Sequence, residues 1–490
     1  MNRLFKKLAT TNISTTYVFI LLGISTLMMA GYFSYAWFTV QGVQKYSVVT
    51  GNLYGTVAIG TNSVTIAGQG VLTYTPTTDS DTITLTVTNT NDRTVKNSIY
   101  YYNLSDSTIQ IGYTSDSPTI PSTTGVSVNQ NNTLTYKIKI NKAKGKQIKI
   151  GSSIGLNNSN LTLPSGTTAF SLLKDSTGAE TLVAKANPET LDYNTATTDQ
   201  KNQMWTFPHE ATTQLGATTD YRYIGVNPNN YVKFNDELWR IIGVFDVDDG
   251  TGKIEKRMKI IRNETIGNYA WDYTSSGSYA NEWKTAQLNT LLNSGAYYNR
   301  TTGSYYNNKT ETSVDFTSTG LTDTAKSMLG DAKWYLGGVE NYTSSSNGLV
   351  SHFYSYERGT TVYTGRSINW IGKVGLIYPS DYGYATSGGS STNRTGCMAK
   401  EMYVWKHAFA DSSETDCVNN DWLFKSSYMW TLSTKSSSPY FGFYIDGFGG
   451  NVVSTNSFAI YAVLPVVHLK STIKITGGTG SSTDPFILSV

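Results

Sequence analysis

The sequence predicts a mainly β protein whose second half is mixed α+β. Three observations predict it. Thr, Ser, Asn and Gly fill the gaps between short apolar runs, and Tyr is abundant at 35 residues, a mixture that suits short strands joined by polar loops. Residues 82–88 (TITLTVT) alternate strictly, as a half-buried strand does. Residues 237–245 (ELWRIIGVF) are apolar on both faces, as a central strand buried on both sides would be. At 490 residues the chain exceeds a single core. Charged residues make up 15% and the net charge is +3, too little to argue for nucleic acid, and no arginine cluster is interleaved with stacking aromatics.

Residues 1–12 carry Arg3, Lys6 and Lys7 and no acid. Residues 17–40 are almost wholly apolar; as a helix they would extend roughly 36 Å, enough to span a bilayer. The basic flank predicts a cytoplasmic N-terminus, with everything after it outside the cell. Two outcomes are open: a retained single-pass anchor, or a signal peptide cut after Ala36, where Ser34 and Ala36 supply the small residues.

Residues 30–39 (AGYFSYAWFT), with Val49-Thr50-Gly51-Asn52-Leu53 shortly after, resemble the start of the camelysin/TasA family. The resemblance covers residues 35–150 and implies a β-sandwich of the kind that builds extracellular matrix fibres. Alternating runs at 63–66, 71–74, 82–88, 98–103, 134–140 and 147–150 predict an antiparallel sandwich over residues 41–173. Ile83, Leu85 and Val87 are its inward set. Residues 89–92 and 141–145 are turn signals. Lys137, Lys139, Lys142, Lys144, Lys146 and Lys149 predict a basic hairpin, read as a solvated face that discourages edge pairing or as a contact for anionic wall polymer or phospholipid. The four histidines are His209, His352, His407 and His468, so this region holds none, and the metallopeptidase activity described for one family member does not carry over. Residues 156–202 lose clear periodicity, and residues 174–219 are expected to be a linker with room for a short helix.

Residues 220–490 form the expected second module. Asn235-Asp236 separates two strand-like runs and tolerates the positive φ of a two-residue hairpin turn. Residues 246–252 (DVDDGTG) fail as an EF-hand: position 5 is Gly250 and position 12 is Arg257. Helices are expected over 282–295, ending at a left-handed Gly295, and over 322–329, capped by Thr322 and Gly330. Strands are expected at 374–378, 426–433, 441–445, 450–453 and 459–469.

The order Trp239–Ile242, Trp283–Asn293, Tyr378–Tyr384, Trp430–Ser433 and Pro465–Val467 resembles the formylglycine-generating-enzyme/C-type lectin-like fold of bacterial surface proteins. The resemblance implies that the first and last strands pair, placing residues 238–245 beside 461–469. Many such modules carry Arg-Pro in the last motif; Leu464-Pro465 stands here, so an ion pair made by that Arg is missing. The chemistry of the fold does not transfer. Glu-Pro-Asn and Gln-Pro-Asp sugar motifs are absent, as are His-Glu-x-x-His, Gly-x-Ser-x-Gly and a phosphate loop. No metal ligands and no cofactor are expected. Cys397 and Cys417, even in number and outside the membrane on this topology, are expected to form a disulfide.

The expectation is therefore a non-catalytic bacterial cell-surface or matrix protein. Its lectin-like module would bind a surface glycan or a protein through loops at 436–440 and 448–451, with Ser436, Tyr440, Phe448 and Asn451 as the contact residues. The alternatives are a filament or coat subunit self-assembling through the sandwich, and a secreted hydrolase using two of Asp381, Asp421 and Asp446.

Overall fold

The structure is a computed structural model that describes residues 21–22, 24–26, 53–59, 62–67, 69–173, 176–405 and 416–490. The chain divides into two compact units, Met1–Asp175 and Ser176–Val490. Residues 21–22 and 24–26 are helical; the remainder of the apolar stretch 17–40 lies outside the described residues. Among the described residues no helix is long and apolar enough to cross a membrane.

Among its described residues the first unit has ten strands: β1 (Tyr54–Ile59), β2 (Asn62–Ala67), β3 (Gln69–Tyr74), β4 (Ser80–Asn89), β5 (Val95–Tyr102), β6 (Gln110–Tyr113), β7 (Val126–Val128), β8 (Thr133–Asn141), β9 (Ile148–Leu156) and β10 (Thr167–Ala169). Their order is β10-β5-β9-β3-β2-β1-β4-β8-β6, with β7 on β5. Alternation sends Ile83, Leu85, Val87, Tyr136, Ile138 and Ile150 into one core. The path closes at its ends. Thr167–Ala169 pair with β5, and just beyond them Tyr113 N–H of β6 donates to Ser171 O and Leu173 N–H to Tyr113 O, both at 2.9 Å. The result is a sandwich-like antiparallel unit.

The expected basic hairpin does not form. β8 pairs with β4 and β6, while β9 pairs with β3 and β5. Residues 142–147 cross between the two halves. Their backbone bonds go to the β3–β4 connection, Lys142 N–H to Asp79 O at 2.7 Å and Gly145 N–H to Pro76 O at 2.9 Å, and Ala143 is fully buried. β8 is therefore no edge, and its lysines guard none. Lys137 instead pairs with Asp116 at 2.6 Å, and Lys146 pairs with Asp106.

Residues 176–219 are not a linker. Ala179 and Leu182 of the helix Gly178–Val183, with Met204, belong to the second unit's core. β11 (Trp205–His209) pairs with β12 (Thr218–Arg222). Their apolar residues are spaced irregularly, which hides them from a periodicity test.

β13 (Tyr231–Phe234) and β14 (Glu237–Asp248) form the expected hairpin. Asn235 and Asp236 have φ of 57° and 62°, the double left-handed conformation of a type I′ turn. Asp236→Gly removes the Cβ penalty there and is expected to raise stability by about 0.5–1 kcal/mol in denaturant unfolding; a loss would show that the Asp side chain itself holds the turn. β14 is central: Trp239, Ile241 and Val244 are fully buried, although Leu238 at its start is 37% exposed. At Gly243 the ladder shifts register, and a Cβ there would sit 2.1 Å from Tyr221 O of β12, so only glycine admits that strand.

β15 (Ile254–Arg262) returns from the Asp246–Gly252 turn, where Asp248 Oδ1 accepts from Gly250 and Gly252 N–H at 2.8 and 3.0 Å. Because β15 lies against β14, the pairing expected between 238–245 and 461–469 does not occur. After β16 (Asn268–Ala270), β17 (Thr302–Asn307), β18 (Thr310–Asp315), β19 (Ala332–Tyr335), β20 (Asn369–Gly372), β21 (Val374–Gly375), β22 (Met429–Thr434), β23 (Phe441–Ile445), β24 (Val452–Asn456) and β25 (Ile460–Ala462), strand β26 (Val466–His468) pairs with β15 and β21. β27 (Lys474–Gly477) and β28 (Phe486–Ser489) finish the sheet, with β28 parallel to β13. A separate five-stranded sheet runs β16-β25-β22-β23-β24.

Thr322 caps the helix Asp323–Met328, its Oγ1 accepting from Ala325 N–H at 3.1 Å. The helix ends at extended Leu329, not at Gly330. The 282–295 helix is interrupted: Trp283–Thr285 is a 3₁₀ turn, Ala286 is extended, and Gln287–Asn293 is α. Gly295 has φ −93°, and the left-handed residue is Arg300. Close approach explains the glycine: its Cβ would lie 2.9 Å from Thr290 O. Pro379 does more than stop a strand; it occupies the first turn of the helix Pro379–Ala385.

Candidate functional site

The five-stranded sheet carries an aromatic face. Alternation along β22, β23 and β25 sets Trp430, Tyr444 and Tyr461 on one side. Tyr444 and Tyr461 have ring centroids 4.7 Å apart, and Trp430 and Tyr461 4.9 Å. Tyr428, just before β22, stacks on Tyr461 at 5.2 Å with planes 23° apart. Phe448, in the β23–β24 turn, meets Tyr428 edge-on at 5.7 Å. That turn is pinned by Asp446, whose Oδ1 accepts from Phe448 N–H at 3.0 Å and whose carbonyl accepts from Gly450 N–H at 2.7 Å.

Between these side chains lies an open groove of about 370 Å³, lined by Asn268, Ser426, Ser427, Tyr428, Phe448, Ile460 and Tyr461, with Gly447 and Ala462. Phe448 is 79% exposed, so the hydrophobic effect of folding does not account for its position. The lining has no acid and no base. Burial raises the phenols of Tyr444 and Tyr461 above their ordinary pKa, leaving neutral hydroxyls.

Of the four residues expected to bind, the structure places only Phe448 in this groove. Tyr440 lies at the other end of β23, about 17 Å away by strand length, packed on Tyr279 at 5.1 Å. Ser436 is half-buried, its N–H bonded to Val339 O at 3.1 Å. Asn451 is buried and its carbonyl accepts from Asp446 N–H at 2.9 Å. Tyr428, Ile460 and Tyr461 escaped sequence reasoning; the signal for them was aromatics recurring at even spacing, Tyr428 with Trp430.

A second feature is a buried ionic network. Arg222 bonds Asp220 at 2.7 Å and Asp381 at 2.9 Å. Lys259 donates to the other oxygen of Asp381, which also accepts from Tyr378 N–H at 2.9 Å. Glu357 accepts from Ser380 N–H at 3.0 Å, from Ser380 Oγ, and from Arg358 at 3.1 Å. Burial works to raise Asp381, but Lys259 and Arg222 outweigh it and hold the carboxyl at about 2. Burial pushes Glu357 up to about 7 against the pull of Arg358 and Ser380. His209 and His468, remote in sequence, both flank this network: His209 Nε2 is 3.1 Å from Asp220, and His468 lies beside Trp334 at 4.9 Å. His407 is outside the described residues.

The three candidate hydrolase carboxylates share no cleft with a substrate-sized opening. Asp381 is ion-paired, Asp421 Oδ1 accepts from Leu423 N–H at 2.8 Å in a fully desolvated setting that raises its pKa, and Asp446 shapes the turn. Cys397 and Cys417 are disulfide-bonded. Among the described residues no three His, Cys, Asp or Glu side chains gather to hold a metal. Comparison with family models, with curated proteins and with solved structures finds no match to this chain.

Proposed function

We propose that this is a non-catalytic bacterial cell-surface or extracellular-matrix protein whose lectin-like second unit binds a neutral glycan in the Tyr428–Phe448–Tyr461 groove. The observation that supports this is the groove itself: the exposed rings of Tyr428 and Phe448 and the half-buried Tyr461 lie beside Ser426, Ser427 and Asn268, with no carboxylate, amine, guanidinium or imidazole in the lining. Pyranose C–H faces stack on aromatic rings while their hydroxyls bond amides and hydroxyls, and an uncharged wall suits an uncharged ligand. A protein ligand is the alternative occupant of the same groove. Export fits a paired Cys397–Cys417 bond, since disulfides persist in oxidising surroundings. The apolar 17–40 stretch then serves as membrane anchor or as a signal cut near Ala36.

A glycan array with the full chain tests the reading. Tyr428→Ala and Phe448→Ala are each expected to weaken binding about tenfold, whereas Tyr440→Ala, at the far end of β23, leaves it unchanged. Equal binding by all three variants would remove the groove from consideration. The filament-subunit reading requires assembly by the first unit alone, measured by electron microscopy; closure of its sheet by residues 167–173 covers the edges that strand-to-strand assembly uses.

A further inference from the structure

Beside the ionic network lies a second cavity, of about 30 Å³, lined among others by Asp220, Lys259, Tyr335, Arg358, Tyr378 and His468. It reaches the surface past Asp246 and Lys333, which are half-buried. We propose that this cavity is a binding site for one small monovalent anion, either a free halide or the carboxylate end of a larger molecule.

Geometry argues first. Arg358 is 5% exposed and His468 7%, yet Arg358 Nε and His468 Nδ1 have no hydrogen-bond partner. Arg358 gives Nη1 to Tyr354 O at 3.2 Å and to Glu357 at 3.1 Å, and its guanidinium lies 3.6 Å from the Tyr354 ring centroid, which fixes its plane. An unpaired donor on a buried cation is costly. An anion at this spot satisfies it.

Charge argues second. The network holds three cations, Arg222, Lys259 and Arg358, against two firmly ionised carboxylates, Asp220 and Asp381. The third acid, Glu357, is pushed up to about 7 by burial, so near neutral pH it offsets only part of the charge of its partner Arg358. At the rim Asp246 is neutralised by Lys256 at 2.9 Å and Lys333 by Asp248 at 3.6 Å. A surplus positive charge therefore faces a small cavity with low-dielectric walls, where one anion is attracted far more strongly than at the surface. The volume suits a halide or two carboxylate oxygens and no larger group, since one water needs about 10–15 Å³ on this measure.

The test compares thermal unfolding of the full chain in chloride, formate and isethionate at matched ionic strength. Chloride or formate is expected to raise the midpoint by about 5 °C at saturation relative to isethionate, a bulky sulfonate with no carboxylate end. Arg358→Lys keeps the charge, removes the Nε–H donor and is expected to abolish the shift. Because that variant can fail to fold, bromide anomalous diffraction on the unaltered protein is the second measurement, with a peak expected within hydrogen-bond reach of Arg358. A shift with chloride, together with the bromide peak, assigns a free halide. A shift with formate alone assigns the carboxylate of a larger molecule. Equal midpoints in all three salts and no bromide peak overturn the proposal and leave the cavity to water.

Discussion

Asp381→Ala is expected to destabilise the second unit by about 3–5 kcal/mol, because it leaves the buried Lys259 without a carboxylate and strips Arg222 of one of its two. Arg222 and Lys259 are 1% and 2% exposed, and Asp381 is the partner they share. In thermal unfolding this amounts to a drop of roughly 10 °C. The matching double variant, Lys259→Met with Asp381→Ala, removes one stranded charge and recovers part of the loss. Additive effects would show that the two side chains do not interact. The pH profile carries the same signature. Asp381 sits at about 2 in the folded chain against an ordinary 3.8. Its folded pKa is depressed, so its contribution is complete above 3.8 and is lost as pH falls toward 2. Asp381→Ala should flatten that acid limb. Glu357 works oppositely: its folded value of about 7 lies above the ordinary 4.5, so its contribution to stability declines as pH rises from 4.5 to 7.

Loss of the disulfide is the second large effect. Cys397 and Cys417 are 20 residues apart, both fully buried, and bracket residues 406–415. Cys397→Ser with Cys417→Ser is expected to cost about 3 kcal/mol, since the closed loop restricts the unfolded chain. The comparison is a denaturant titration of the double variant against the oxidised protein, with reductant as a second arm. Unchanged midpoints in both arms would show that the bridge contributes nothing to stability. The same experiment reports on the groove: Thr386 Oγ1 donates to Cys417 O at 2.6 Å, and Val418 packs where a Cβ on Gly450 would fall, at 2.6 Å, so the bridge supports the turn that presents Phe448.

The ionic network shows why part of the site escaped sequence reasoning. Asp381 stood inside a motif that drew attention as Tyr378–Tyr384, but its partners Arg222 and Lys259 come from strands 159 and 122 residues away. A strand position that holds Arg or Lys reads from sequence as solvent-facing, because a lone buried charge is prohibitive. Only the carboxylate delivered by the helix Pro379–Ala385 makes those positions interior ones. The aromatic groove is a parallel case. Tyr428 and Tyr461 are each ordinary in their local context, and they join Phe448 in one surface because β25 and β23 flank β22 in the five-stranded sheet.

Local chemistry was sufficient wherever a rule operates within a few residues. Alternation defined β4 and β8, positive φ tolerance placed the Asn235-Asp236 turn, a hydroxyl capped the helix at Thr322, and two-sided apolarity marked β14 as central. Partner choice was beyond it. Whether residues 141–147 turn back or cross over, whether β14 meets β15 or β26, and whether residues 176–219 dangle or pack depend on which distant backbone groups and apolar faces are free to be covered. That competition is decided over the whole chain at once, by hydrogen-bond satisfaction and burial together.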